Sequence, residues 1–447
     1  MNVRCFVSSC IGLRRVGVVL LFSTLRCLSH AGAIRYVCAN SPSPAAPYTD
    51  WDHAAHTIQE AIASAADGDT VRVTNGVYDT GETVTQGALP NRVAVTNRVT
   101  VCSVNGPVVT VIRGKGPMGE GAVRCAYLVD GAVLSGFTLA GGATRTSGGA
   151  YTEQSGGGVF CDHGGAVEHC DVLDGAASLN GGGVFCFRGG VVRNCILRRN
   201  RAGYGGGVSC FYGGTVQNCS ISRNSVFGGG GVSCDHGGTI QNCVLFFNTG
   251  FFGDDNYTNF GVEWDYAHCC MTPEVGTACV TNDPLFADRI AQDLRLTYGS
   301  PCIDAGLDVS AQGITNAFDG AARPTDGNFD GEARFDIGCY EYNPQTMDSD
   351  GDGMNDASEA IAGTGPTNRL DVFAVKECMV PSSNGECVVY WETVPGRLYD
   401  VLSQTNLSGE WSSVSQTVGD GTRQSYTHRS GGAGQHYFRL TVTTNAP

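Results

Sequence analysis

The sequence predicts an all-β chain whose main body is a parallel β-helix, and three observations carry that prediction. A block recurs four times: GGGVFCDHGGAVEHCDVLDG from Gly156, GGGVFCFRGGVVRNCILRRN from Gly181, GGGVSCFYGGTVQNCSISRN from Gly205 and GGGVSCDHGGTIQNCVLFFN from Gly229, at spacings of 25, 24 and 24 residues. Its apolar runs are short, β-branched and bounded by glycine, with no stripe of helical period. Stacking the blocks also places like residues over like, at about 4.8 Å per rung.

The chain opens on residues 1–33, which contain no acid. Arg4, Arg14 and Arg15 precede the apolar run VGVVLLFSTL, and the small residues Ala31, Gly32 and Ala33 follow. That layout is a secretory signal peptide cleaved after Ala33; the apolar run is half the length of the about 20 residues a membrane span needs. No transmembrane segment remains once the signal is removed. The predicted location is secreted, extracellular or the outer cell surface.

Ala54, Ile58, Ala61, Ile62 and Ala65 then recur at spacings of three and four, so Trp51 to Ala66 reads as an amphipathic helix ended by Asp67 and Gly68. Such a helix is suited to cover the exposed apolar end of a solenoid's first coil. VRVTNGVY (71–78), VAVTNRVTVCSVNG (93–106), VVTVIRG (108–114) and CAYLVDGAVLSGFTLAGG (125–142) read as less regular coils.

In the four regular coils Val159, Val184, Val208 and Val232 form one column, and Cys161, Cys186, Cys210 and Cys234 a second, two residues on and therefore on the same inward face. Cys170, Cys195, Cys219 and Cys243 form a third. Asn200, Asn224 and Asn248 form a fourth, with Gly175 in the first coil; their amides are expected to bond along the column at a turn. Eight residues separate the cysteines of a block, whereas zinc sites use close pairs. The cysteine columns thus stand either as free thiols filling the core or as disulfides between coils, since rung spacing falls within the disulfide Cα range while parallel side-chain directions oppose the required torsion.

The GGGV and NC blocks with Asn200, Asn224 and Asn248 resemble the right-handed parallel β-helix proteins secreted by bacteria, with repeats related to those of polymorphic outer-membrane proteins. YTDWDHAAHTIQEAIASAADGDTVRVTNGVY is similar to the N-terminal cap of that group. DPLFAD (283–288), LRLTYGSPCIDAG (294–306) and RFDIGCYEY (334–342) resemble the surface-protein region called choice-of-anchor Q. The group includes pectin and alginate lyases, polygalacturonases, adhesins and surface-layer proteins, so the resemblance implies the fold and leaves the function open.

DSDGDGMNDASE (348–359) matches the twelve-residue calcium-loop pattern, with Asp348, Asp350, Asp352, Gly353 at the bend and Glu359 last. Met354 is placed to offer a backbone carbonyl at the seventh position, and Asp356 stands at the ninth. Carboxylates this close repel one another unless a hard cation neutralises them, so calcium is the expected cofactor. With AGTGPTN following, the segment resembles a dockerin half or a thrombospondin type 3 repeat, and a single loop implies a structural clip. From residue 372 onward, ECVVYWETV, RLYDVLSQTNLSGEW and HYFRLTVTT alternate as in a small antiparallel β-sandwich, which resembles terminal modules of secreted planctomycete and verrucomicrobial proteins. The predicted domains are therefore the signal at 1–33, the β-helix with its cap and tail at 34–345, the calcium loop at 346–370 and the sandwich at 371–447.

Acidic residues number 43 against 28 basic, for a net charge of −15. Such a chain repels phosphate backbones and anionic membranes, which argues against a nucleic-acid partner. The outward columns run Asp162, Phe187, Phe211, Asp235; then His163, Arg188, Tyr212, His236; then Asp174, Arg199, Arg223, Phe247. The two Asp-His pairs stand three rungs apart, roughly 14 Å, beyond the about 5–9.5 Å of a paired-acid glycosidase. No residue is therefore assigned as catalytic. Phe187, Arg188, Phe211, Tyr212, Asp235 and His236, with Arg199 and Arg223, are candidate glycan contacts. The expected role is structural, adhesive or glycan-binding, with an extracellular polysaccharide or cell-surface glycan as partner. The alternative is a polysaccharide lyase or glycoside hydrolase acting on an acidic polysaccharide, with Arg199 and Arg223 the stacked bases.

Overall fold

The computed structural model describes residues 32–444 apart from 229, 251–252, 255, 262–263, 372, 374, 376, 380–385, 406–409 and 430–435. The expected signal segment lies outside the described residues but for its last two. From Ile34 to Met271 the chain winds through three sheets. Sheet 1 has nine strands, from Ile34–Val37 to Trp264–Ala267; sheet 2 has eight, from Gly76–Tyr78 to Cys270–Met271; sheet 3 has eight, from Thr83–Val84 to Tyr257–Phe260. Pairing within these three sheets is parallel except where Thr83–Val84 runs antiparallel to Pro90–Val95; a fourth, short sheet stacks Arg201–Tyr204, Ser225–Gly228 and Thr249–Gly250 in parallel and closes on Gly253–Asp254 antiparallel. The fold is a parallel β-helix.

The repeat period sets the register. Val159 pairs with Val184 and Cys161 with Cys186, and the columns continue through Cys210 and Cys234. All eight repeat cysteines and Val159, Val184, Val208 and Val232 are fully buried in one continuous core. Each coil turns three corners, and a residue with left-handed backbone marks each one. Arg188 (φ 58), Asn194 (φ 50) and Arg199 (φ 55) serve one coil, and the same positions recur above and below.

The repeat cysteines are free thiols, so packing is the outcome of the two readings. The place of Cys170, Cys195, Cys219 and Cys243, directly after the second corner, has a chemical consequence. The Cys195 Sγ donates to the carbonyls of Arg193 (3.2 Å) and Val167 (3.4 Å), and the Cys219 Sγ to those of Gln217 (3.1 Å) and Val192 (3.5 Å). The thiol is a second donor to carbonyls the backbone also uses: the His169 N–H bonds to the Arg193 carbonyl and the Asn194 N–H to that of Gln217. Burial pushes the thiols of Cys170, Cys219 and Cys269 well up, which keeps them protonated.

The asparagine column forms as expected. The Asn200 Oδ1 accepts the Gly175 N–H at 2.8 Å, and the Nδ2 groups of Asn200, Asn224 and Asn248 reach the carbonyls of Val172, Leu197 and Ile221 at 2.8–2.9 Å. Asn256, which the repeat alignment does not reach, extends the ladder by accepting from Asn248. The glycine run beside it permits backbone contact between coils. A Cβ on Gly182 would lie 2.4 Å from the Arg201 carbonyl oxygen.

The capping helix is shorter than the apolar spacing predicts. Helix α1 spans Ile58–Ala63 and opens on a capping box between Thr57 and Glu60. The helix cannot begin at Trp51, because Ala55 bridges Val37 in parallel and exchanges backbone bonds with Tyr36 and Cys38. Ala54 is buried all the same, and Ile58, Ala61 and Ile62 close the first coil.

Residues 283–345 lie along the outside of sheet 2. The Cys339 N–H donates to the Ser220 Oγ at 3.2 Å, and Asn242 exchanges hydrogen bonds with Leu307 at 2.8 Å. Val244, Leu296, Cys302, Ile337 and Tyr342 form the apolar contact. Within it Arg323 and Glu341 make an ion pair of 2.7 Å with both side chains fully buried. Beyond this tail, two three-stranded antiparallel sheets enclose Val389, Trp391, Tyr399 and Val401 as a small sandwich.

Candidate functional site

Two places on the molecule gather chemistry: an aromatic cleft on the outer face of sheet 3 and the acidic loop at residues 348–359.

The cleft begins with strand alternation. Val159 and Cys161 point inward, so Phe160, Phe185, Ser209 and Ser233 point outward on successive rungs. Phe160 and Phe185 are nonetheless buried, in a second apolar cluster with Tyr127. The segment between the strands at Thr138–Ala140 and Val159–Asp162 folds over them and lays Tyr151 against Phe187 at 5.1 Å and Phe211 at 4.9 Å between ring centroids. That segment is held from beneath by Arg124. Its guanidinium is fully enclosed and donates to the carbonyls of Thr152, Ser155 and Gly156, each at 2.8 Å. Glu153 ties the same segment to the N–H groups of Ala88 and Gly149.

Where this cover stops, a cleft of about 280 Å3 opens. Tyr151 and Phe211 line one side; Tyr204 and Phe260, edge to face at 5.5 Å, line the other. Tyr151, Tyr204 and Phe260 are each about 40% exposed, a large outlay of aromatic surface to water. Asn180, Ser209, Ser233 and Asp235 supply the polar groups.

The expected glycan residues divide between two corners. Phe187, Arg188, Phe211, Tyr212, Asp235 and His236 do come together at the end of sheet 3. Phe187 and Phe211 stack at 6.0 Å, Arg188 lies 5.0 Å over the Phe187 ring, Tyr212 is 5.0 Å from the His236 ring, and the His236 Nδ1 is 2.5 Å from the Asp235 Oδ1. Arg199 and Arg223 are at the corner after sheet 2 instead. Arg199 donates to both oxygens of Asp174 at 2.9 Å and to Gln292, and this pairing holds its guanidinium above the ordinary value. Asp162, in the outward column, is buried and accepts from Tyr127 (2.6 Å) and Gln86 (2.8 Å). The repeat alignment missed Tyr151, Tyr204 and Phe260, because two lie outside the aligned block and one in a coil that departs from it.

In the acidic loop, carboxylate oxygens of Asp348, Asp350 and Asp352 approach within 4.8 Å of one another. Backbone bonds set the bend: Gly353 (φ 101) donates to the Asp348 Oδ2 at 2.9 Å, and the Met354 N–H to the Asp352 Oδ1 at 2.8 Å. Glu359 comes from helix α2 (Asp356–Ala362) with no exposure, and burial together with Asp350, Asp352 and Asp356 pushes its carboxyl up to about 7. The Asp350 Oδ2 and Glu359 Oε2 are buried without a hydrogen-bond partner. A partly buried all-oxygen set with unpartnered oxygens on Asp350 and Glu359 fits a hard divalent cation such as calcium.

Asp356, the ninth position, does not join that group. Its Oδ1 accepts from the Ser349 N–H at 2.7 Å, and its Oδ2 from the Ser349 hydroxyl at 2.6 Å and from the Tyr342 hydroxyl. It therefore fastens the loop to the tail of the β-helix. A second turn, Asp326 to Glu332, repeats the hydrogen bonds of the first: Gly331 to the Asp326 Oδ2, Asp330 to the Asn328 Oδ1 and Glu332 to the Asp330 Oδ1. Its twelfth position is the apolar Ile337.

No helix among the described residues is long and apolar enough to cross a membrane. No protein-family model matches the chain, and no curated protein matches its sequence. Among solved structures, a pectate lyase, Pel9A, is similar at 14% identity and a TM-score of 0.37, over 70% of this chain and 97% of that one. A likeness of that degree does not bear on what the chain binds.

Proposed function

We propose that this chain is a secreted or cell-surface β-helix protein that binds glycan along the outer face of sheet 3, with a calcium ion fastening the loop between the solenoid tail and the terminal sandwich. The aromatic cleft carries the reading. Three exposed rings around serine, asparagine and aspartate side chains provide apolar faces for sugar C–H groups and polar edges for hydroxyls. The signal-like segment supports export, and the unpartnered Asp350 and Glu359 oxygens support the ion.

The lyase alternative asks for a free base beside a cation on one face. Arg199 is engaged by Asp174 and Gln292, and it stands around the corner from the aromatics. Binding without turnover is the better-supported reading. Affinity electrophoresis over a polysaccharide panel, run beside reducing-end and unsaturated-uronate assays, tests it. Retardation lost in Tyr151→Ala and Phe211→Ala, with no product formed, is the expected result; turnover abolished by Arg199→Ala and Arg223→Ala overturns it.

A further inference from the structure

We infer that the cleft takes uncharged pyranose chains and excludes uronate or sulfated ones, with Asp235 as the deciding residue; the inference rests on the glycan-binding reading of the same cleft. Asp235 occupies the middle of three in-register positions, between Phe211 and Phe260. Its carboxylate therefore lies one rung, about 4.8 Å, from an aromatic residue on either side. A sugar ring laid on either aromatic would present its hydroxyl edge to that carboxylate. An ionised carboxylate only accepts, a hydroxyl donates, and a bond of this charge-assisted kind is about twice as strong as a neutral one. The Asp235 Oδ1 is buried beside the His236 Nδ1 at 2.5 Å, which leaves the Oδ2 as the acceptor.

A carboxylate or sulfate on the ligand would meet like charge in the same place, with only the His236 imidazole, already against Asp235, beside it. Among the described residues that line the cleft there is no lysine or arginine. Two arginines of the same face are committed elsewhere. Arg188 lies over the Phe187 ring and contacts the His163 Nε2 at 3.2 Å, and Arg124 is buried beneath the Tyr151 segment. The remaining polar groups, Asn180, Ser209 and Ser233, are neutral and both donate and accept, as a hydroxyl-rich neutral ligand requires. The net charge of −15 adds a long-range field of the same sign.

The test is affinity electrophoresis and calorimetry of the purified full chain with calcium present. The probes are neutral β-glucan, mannan and xylan against polygalacturonate, alginate and a sulfated galactan, at low and at physiological salt. Wild type is expected to bind at least one neutral polymer and no polyanion. Asp235→Asn, which keeps shape but not charge, is expected to lose roughly five- to tenfold in affinity for the neutral polymer and Asp235→Lys to gain polyanion binding. Polyanion binding by wild type that disappears in Tyr151→Ala would overturn the charge selection while leaving the glycan site standing. Binding of no polymer of either kind would overturn the glycan site itself. The wild-type ranking decides even where a variant fails to fold.

Discussion

Asn200 and Asn224, one coil apart, are joined twice: the Oδ1 of Asn224 accepts both the side-chain Nδ2 and the backbone N–H of Asn200, each at 3.0 Å. Asn224 repeats the arrangement with Asn248 at the same distances. The column is a side-chain copy of the backbone ladder, placed where the turn would leave buried polar groups unmatched.

Asn224→Ala is therefore expected to destabilise the chain by about 2–5 kcal/mol, because it strands the Asn200 N–H and the Leu197 carbonyl in a buried corner. Urea unfolding followed by circular dichroism reads the loss. Asn105→Ala, at an exposed turn, should fall within about 0.5 kcal/mol of wild type.

The repeat thiols should be silent to an aromatic disulfide reagent in the native state and all react after unfolding. The alkaline behaviour follows from the buried thiols whose values burial raises: Cys170 and Cys219 of the repeat lie well above the ordinary 9.0, and Cys125 and Cys339, outside it, are pushed to about 11 and about 12. The folded chain then holds protons that the unfolded chain gives up, so stability is complete below pH 9 and declines as pH rises through the folded values. Melting temperatures measured from pH 7 to 11 should stay level and then fall; a flat profile would contradict the buried-thiol account.

Chelator should lower the melting temperature, by an amount equivalent to about 2.7 kcal/mol for calcium at a hundredfold excess over its Kd. Asp350→Ala should abolish the response, and Asp356→Asn should destabilise the protein with or without the ion, since Asp356 binds Ser349 and Tyr342. Differential scanning calorimetry with and without chelator separates the two residues.

Arg124→Gln should weaken glycan retardation without altering any residue in the cleft. It leaves up to three carbonyls of the Tyr151 segment without their donor. A melting curve close to wild type combined with unchanged retardation would show that the segment holds its place unaided.

The repeat by itself determined the solenoid, the inward valine and cysteine columns and the asparagine ladder, because a residue's place in a stacked coil follows from its place in the period. The DxDxDG spacing likewise brought Asp348, Asp350 and Asp352 together, since neighbours in a tight bend need no distant partner. Tertiary structure alone decided the rest. Tyr151 comes from outside the repeat and reaches Phe211 because its segment, anchored by buried Arg124 and by Glu153, folds over sheet 3; Arg199 and Asp235, though both on outward columns, were separated by a corner whose direction depends on backbone φ. Asp356 fits the loop pattern by position, yet Tyr342 and Ser349 claim its carboxylate. Local spacing determines which residues are neighbours along the chain and along the stack, whereas covering segments and competing hydrogen-bond partners are contacts between distant parts that only the packed fold supplies.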